Sequence, residues 1–378
     1  MSSPQPPPAA ALPLFCPIPL VLHPAGVEEI DTAGVEWTIN HGLIAPGSAM
    51  ARSKTGLVAA AGVPFATTQA ARVMCRYSYW AFAMDDHLDT LATDLPAAAC
   101  LVAEANRVMY EPSTTPIPDL GSHPSALLTS LRDLRDQMID CLGPDGLNML
   151  RSANTHWLGG QLWKLAMWNR PTPPTVGEYL RMRWQKCGCE TLAAFAAPGT
   201  GYPMSAAELY DPSVRAFTQA LFLACTTIND LGSMTKEADT PEGAINICSA
   251  LAAEHHLDPV SALYRAGELY ERLVLLMTRL QAVLRNDPRP AVARYATELP
   301  QWLPATIHFS AASARYLTQL RPSSAPLPDL VVTDTPNWWD PGDTTPPPYP
   351  DIAWWWEHAS TRTALYGSGN AGQPGSVQ

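Results

Sequence analysis

The chain has 378 residues, 47% of them apolar and only 16% charged, and acidic side chains outnumber basic ones 35 to 24 for a net charge of −11. That composition permits a large buried core, disfavours long disorder through the middle, and argues against nucleic acid as a partner, because phosphate neutralisation needs clustered Lys and Arg. It leaves an anionic ligand open, since metal ions reconcile acidic side chains with negative charge. No basic residue precedes Arg52, so the positive region of a secretory signal is missing. No run of 18 apolar residues predicts a membrane span. The eight cysteines form no Cys-x-x-Cys repeat, Cys187 and Cys189 being the only close pair, which suits free thiols in a reducing cytosol better than a zinc site. The expectation is a soluble, acidic, cytoplasmic protein.

In chain order, residues 1–20 hold seven prolines, among them Pro6, Pro7 and Pro8. Proline removes backbone donors and fixes φ, so this stretch reads as an extended arm. The pattern then turns helical: 66–92, 124–142, 146–168, 205–237, 260–285 and 301–320 carry apolar residues at three- and four-residue spacing. Breakers separate them, namely Pro96, the Pro112–Pro118 region, Gly143-Pro144, Pro171–Pro174, Pro198–Pro203, and Pro288 with Pro290. No stretch alternates with period two over several strands, no glycine-rich phosphate loop follows a strand, and no internal repeat occurs. One all-α domain over residues 21–320, a single helical bundle with extended proline-rich ends, is the economical architecture. The last segment, 321–378, contains Pro346-Pro347-Pro348 with many Ser, Thr, Gly and Asp, and reads as a flexible tail. Its Trp338-Trp339 and Trp354-Trp355-Trp356 leave a second reading open, in which the tryptophans dock on the domain or on a partner.

Two constellations carry chemistry. The first is Asp85-Asp86-His87-Leu88-Asp89, at the end of the apolar and aromatic run from Tyr77 to Met84. On a helix Asp85 and Asp89 stand one turn apart on a shared face, and like charges so placed repel unless a cation compensates. Carboxylates at this spacing suit Mg²⁺, which takes a few protein oxygens and completes its shell with water and phosphate; an exposed acidic helix end is the plainer alternative. The second is Asn229-Asp230-Leu231-Gly232-Ser233-Met234-Thr235-Lys236-Glu237. Asn229, Ser233 and Glu237 fall at i, i+4 and i+8, so an amide oxygen, a hydroxyl and a carboxylate line one helical face. That row is either a three-oxygen chelate or an ordinary helix surface.

Taken together, the two resemble the signature of the bacterial and fungal class I terpene synthases, an aspartate-rich DDxxD motif followed by N-D-x-x-S-x-x-[KR]-E. Both are complete, in the family order and about 140 residues apart. The resemblance spans roughly residues 15–320 and includes Phe15-x-Pro17-x-Pro19 and Trp37 near the start. In the family an arginine about 46 residues before the motif's asparagine senses the diphosphate; here that position is Arg183, within Glu178-Tyr179-Leu180-Arg181-Met182-Arg183. Arg315-Tyr316, preceded by Phe309-Ser310, matches the family's diphosphate-binding Arg-Tyr pair. The chain departs from the pattern at Ala244-Ile245-Asn246-Ile247, and at Trp184-Gln185-Lys186-Cys187-Gly188-Cys189 after the sensor.

The resemblance implies a terpene cyclase that uses three Mg²⁺ ions to ionise a linear prenyl diphosphate. Asp85 and Asp89 would hold two ions and Asn229, Ser233 and Glu237 the third. Arg183, Lys236, Arg315 and Tyr316 would grip the diphosphate, with Asp86 orienting a basic residue on closure. The carbocation needs an apolar, aromatic cavity, for which Trp80, Phe82, Phe222 and Phe309 stand at candidate helix positions; His156 and His308 read as polar packing rather than bases. Farnesyl diphosphate is the favoured substrate. Small residues at Ala81, Ala83, Cys187, Gly188, Ala193 and Ala194 support geranylgeranyl diphosphate as the alternative. Chain elongation is disfavoured because Asn, Ser and Glu stand where a prenyl diphosphate synthase needs a second aspartate-rich motif. A non-catalytic prenyl-binding helical protein is the rival from another class. Neither nucleic acid nor stable membrane insertion is expected, and monomer and homodimer both remain open. With the matched region ending near residue 320, removing residues 330–378 is expected to leave a folded domain.

Overall fold

A computed structural model describes residues 11–237, 241–313 and 329–367, with the side chains of 235–237, 241–242 and 360–367 outside the description. The strand β1 (Ala11–Phe15) leads into the helices α1 (Val27–Asn40), α2 (Thr55–Gly62), α3 (Thr68–Thr90) and α4 (Leu95–Tyr110). Next come the long α5 (Ser122–Trp168), α6 (Val176–Lys186) and the short α7 (Cys189–Ala193) and α8 (Ala206–Leu209). The series ends with α9 (Pro212–Glu237), α10 (Ile247–His255), α11 (Pro259–Leu284), α12 (Pro290–Glu298), α13 (Trp302–Ala312), the strand β2 (Asp329–Thr333) and α14 (Pro350–Gly367). Local chemistry sets many boundaries. Thr67, Asp94 and Asp258 cap α3, α4 and α11 with side-chain oxygens, and Pro96 and Pro259 occupy first-turn positions where a missing N–H costs nothing. The expected break at Gly143-Pro144 is present inside α5, where Gly143 leaves helical geometry at φ 68°.

The apolar stripes of α3, α5, α9, α11 and α13 meet in one core, with Tyr77, Phe195, Phe217, Phe222, Tyr270 and Trp302 fully enclosed. The all-α expectation holds, the two five-residue strands being the only sheet among the described residues. No described helix is long and apolar enough to cross a membrane.

The tail departs from the expected flexible segment. β2 pairs in parallel with β1, Ala11 opposite Asp329 through Phe15 opposite Thr333, so the proline-rich arm and the tail close on each other. Leu12 and Leu14 face inward while Pro13, which has no N–H to donate, sits between them. Past β2, the buried carboxylate of Glu271 on α11 accepts the backbone N–H groups of Asn337, Trp338 and Trp339 at 2.7–2.8 Å. The Arg272 guanidinium stacks over the Trp339 ring at 4.1 Å. α14 then packs on α6, α9 and α11, burying Ile352, Trp355 and Trp356. Trp355 Nε1 donates to Gln219 Oε1 at 3.1 Å, and Asp351 pairs with Arg181. A proline- and threonine-rich composition does not keep a segment in solvent when it delivers aromatic side chains such as Trp355 and Trp356 to a core, since a buried aromatic ring removes about 150–250 Å² from water.

Candidate active site

The aspartate-rich motif occupies the last two turns of α3. The Thr67 cap and the buried stripe of Ala70, Met74, Tyr77 and Leu88 fix the rotation of this helix, and so the direction in which its carboxylates project. At about 100° per residue Asp85 and Asp89 share one strip, with Phe82 and Ala81 flanking it; Asp86 is exposed beside it. Both carboxylates converge on the ammonium of Lys164 from α5. Asp85 Oδ1 lies 2.8 Å from Nζ, and Asp89 Oδ1 accepts a second bond from the same atom. Lys164 is 0% exposed and its Nζ stands 5.1 Å from the centre of the Trp168 ring. An ammonium withdrawn from water must be compensated, and the two aspartates do so. α5 reaches this position because Gly160 carries no side chain; a Cβ there would stand 2.7 Å from the Lys186 backbone nitrogen. Gln161 Nε2 then donates to the Lys186 carbonyl at 3.0 Å, locking α5 to the end of α6.

The second half of the site is a buried hydrogen-bond network. Thr175 and Glu178 form a capping box that starts α6 and places Arg183 in its last turn. The guanidinium donates to Asp230 Oδ1 from Nη2 at 2.6 Å and from Nε at 3.1 Å, and from Nη2 to Asn229 Oδ1 at 2.9 Å. The other Asp230 oxygen accepts the Tyr179 hydroxyl and, at 2.9 Å, the Ile247 N–H. Asn246 Nδ2 donates to the Asp230 carbonyl at 2.9 Å. Burial disfavours charge on Arg183, but the Asp230 carboxylate beside it outweighs that cost and holds the guanidinium well above its ordinary pKa. Burial, reinforced by the same carboxylate, pushes the Tyr179 hydroxyl well up. The segment Ala244–Ile247, which departs from the family pattern, thus serves the second motif through Asn246 and the Ile247 N–H.

Asn229 is half-buried and Ser233 buried on one strip of α9, whose helical backbone continues through Glu237. The side chains of Lys236 and Glu237, and Arg315 and Tyr316 altogether, lie outside the described residues. Phe222, two turns before Asn229, sits about 20° from it around the helix and is fully buried. Phe82 stacks on Phe309 of α13, ring centres 6.3 Å apart and planes 13° from parallel, on the strip side of α3. Trp80 does not join them. It lies about 140° round α3 from Asp85, donates its indole N–H to the Leu127 carbonyl at 2.9 Å and packs edge-on against Trp157, so it belongs to the core between α3 and α5. Ala83 is likewise on the far face, whereas Ala81 is beside the aspartates. His156 Nδ1 stands 3.0 Å from Glu190, which also pairs with Arg215, and His308 is exposed.

Three residues with evident work in this site escaped the sequence reading. Lys164 stood as a single charge in the apolar run Leu158–Trp168, a signal of enforced burial, but its partners are 79 and 75 positions away. Asp230 lay inside the recognised motif without a role, and Tyr179 inside the sensor segment.

Among the described residues no three His, Cys, Asp or Glu side chains converge into a ready-made cage. The oxygens that do converge, from Asp85 and Asp89, are hard donors already aimed at a cation. That fits an ion which takes few protein ligands and fills its shell with water and phosphate.

The comparisons with known proteins bear on the family and the fold. The family model described as terpene synthase family 2, C-terminal metal binding, matches residues 76–274, which include the aspartate motif, Lys164, Arg183 and the whole second motif. The chain is 27% identical over 361 residues to bonnadiene synthase of Allokutzneria albata, covering 91% of this chain and 97% of that protein. It is 26% identical over 318 residues to a 4-epi-cubebol synthase of Streptosporangium roseum that cyclises farnesyl diphosphate, covering 83% and 94%. The crystal structure of the SVS_A2 protein from ancestral sequence reconstruction shares the fold at a TM-score of 0.73 and 23% identity over 91% of this chain and 98% of that one. The fold and the paired motifs define a class I terpene synthase, an all-α metal-binding enzyme class. This chain belongs to terpene synthase family 2.

Proposed function

We propose that the protein ionises a linear prenyl diphosphate with the help of Mg²⁺, cyclises the resulting carbocation and releases diphosphate. The observation that carries the reading is Arg183, whose guanidinium bonds both Asn229 and Asp230 and so ties the diphosphate sensor to the second metal motif. Mg²⁺, when bound, would supply the positive charge that draws off the leaving group. Asp85 and Asp89 are the proposed ligands on one side, Asn229, Ser233 and Glu237 on the other, for three ions by resemblance. Arg183 offers a planar fork suited to phosphate oxygens, and Lys236, Arg315 and Tyr316 are assigned to the same anion. Phe82, Phe309 and Phe222 supply the apolar and aromatic surface that keeps water from the cation. No side chain acts as a nucleophile.

Farnesyl diphosphate is the substrate we favour, supported by the 4-epi-cubebol synthase relative. The alternative is geranylgeranyl diphosphate, supported by Ala81 beside the aspartates and by a diterpene cyclase of a Streptomyces, 26% identical over 249 residues. Incubating the full chain with both diphosphates and Mg²⁺ in one tube, and analysing the hydrocarbons, tests the reading. Cyclic product from either supports it, whereas a tightly bound but unreacted prenyl chain would favour a non-catalytic binder. If the longer chain wins, Ala81→Phe is expected to shift preference to the shorter one through steric overlap.

A further inference from the structure

A lysine with no exposed surface is seldom a passenger, and Lys164 holds its charge between the two carboxylates the proposed chemistry needs for metal. We infer that Lys164 is a positioning residue, a built-in counter-ion that aligns Asp85 and Asp89 in the free protein and keeps their affinity for a divalent ion low until the anionic substrate is present. The inference rests on the reading of Asp85 and Asp89 as metal ligands.

Its physical basis is threefold. The ammonium bonds both carboxylates at once, cancelling one of their two charges and removing the repulsion that a one-turn spacing imposes. It cannot easily leave. Its stem is sealed from solvent, and α5 is pinned to α6 by the Gly160 contact and by Gln161 on the Lys186 carbonyl. A divalent ion approaching the pair therefore meets a resident positive charge a few ångströms away, in partly desolvated surroundings where charge repulsion is strong. A diphosphate brings compensating negative charge, so metal and substrate are expected to assist each other's binding, a coupling that must be reciprocal. Compared with the same pair lacking the ammonium, this arrangement lowers the repulsion between two closely spaced carboxylates, at the cost of weak metal capture without substrate.

The test is a Mn²⁺ titration of the full-length, substrate-free protein, with unbound Mn²⁺ read by electron paramagnetic resonance. The relevant signal is the component of binding lost on Asp89→Asn. Lys164→Met is expected to tighten that component on the order of tenfold or more, while Lys164→Arg, which keeps the charge, stays near the wild type. The melting temperature of Lys164→Met should fall in chelator and recover on adding Mn²⁺ by more than the wild type gains, because an ion that binds only the folded state stabilises it. Unchanged or weaker Mn²⁺ binding in Lys164→Met overturns the inference, and so does a melting temperature that Mn²⁺ does not restore. Lys164→Gln, neutral but still able to hydrogen-bond, replaces the methionine variant where that one does not fold. If neither folds in chelator, recovery of the native circular dichroism with Mn²⁺ supports the inference and its failure to recover overturns it. The underlying site reading is tested separately. If Asp85→Asn with Asp89→Asn leaves Mn²⁺ binding intact, those residues are not the ligands, and the reading fails whatever Lys164 does.

Discussion

The two halves of the site hold their acidic residues by different means. On the α3 and α5 side, a single ammonium on a buried stem bridges Asp85 and Asp89. On the α6 and α9 side, a planar guanidinium binds Asp230 through two nitrogens and reaches Asn229 as well, with Tyr179, Asn246 and the Ile247 N–H completing the set. A point charge offers one centre to both partners, whereas a fork bonded through Nε and Nη2 cannot move without leaving a buried carboxylate unpaired in a low dielectric. The second half is also braced from behind, because α14 rests on α6 and α9. One half is therefore a multiply bonded anchor and the other a carboxylate pair bridged by a single positive charge.

The largest effect should come from removing the brace. A chain ending at residue 328 loses Ile352, Trp355 and Trp356 from the core, each worth about 2–3 kcal/mol of burial. A thermal melt of the truncated protein should fall steeply or show no cooperative transition; a drop of only a few degrees would make the tail a passenger and leave the anchor unbraced. Next is Arg183→Ala. Stripping the guanidinium leaves Asp230 buried without its partner, and breaking such a pair costs about 3–5 kcal/mol. Urea unfolding should record that loss, and adding Asp230→Asn to the same chain should recover part of it. Equal stability of Arg183→Ala and wild type would mean that the guanidinium serves the substrate alone. Asn229→Ala is expected to lower turnover at least about 100-fold at saturating Mg²⁺, roughly 2.7 kcal/mol of barrier, with little change in melting temperature. Near wild-type rates would reduce the row Asn229, Ser233 and Glu237 to a helix surface. The smallest effect separates the two faces of α3. Trp80→Phe should cost about 1 kcal/mol of stability and leave the product mixture alone, while Phe82→Leu should alter the mixture. A product change from Trp80→Phe in gas chromatography would return that residue to the cavity.

Much of this was readable from the residues because helices repeat. Spacings of three and four located α3, α5, α9, α11 and α13 but passed over α1, α2, α4, α6, α10 and α12; Gly143-Pro144 marked a real break, and the two motifs lie on helices as their periods require. What failed had a physical reason in each case. Trp80 was placed at a helix position facing the cavity, yet it lies about 140° round α3 from Asp85 and packs on α5. The tail was judged by its prolines and polar residues, although buried area is decided by the few large aromatic side chains among them. Lys164, Tyr179 and Asp230 owe their roles to partners that lie dozens of positions away, which no local pattern encodes.

The pairing of β1 with β2 has a consequence for how the protein is made. The partner of Ala11 is Asp329, so the first strand leaves the ribosome long before the last one exists. At synthesis rates of about 5–20 residues per second, Leu12 and Leu14 wait on the order of tens of seconds without the strand that completes their edge. Helices such as α3 and α5 can form and pack as they emerge, because their contacts are comparatively local. The closing ribbon cannot, and long-range strand pairing is intrinsically slow. The ribbon therefore closes late, and a nascent chain stalled before residue 329 carries β1 against α11 with its strand edge unpaired.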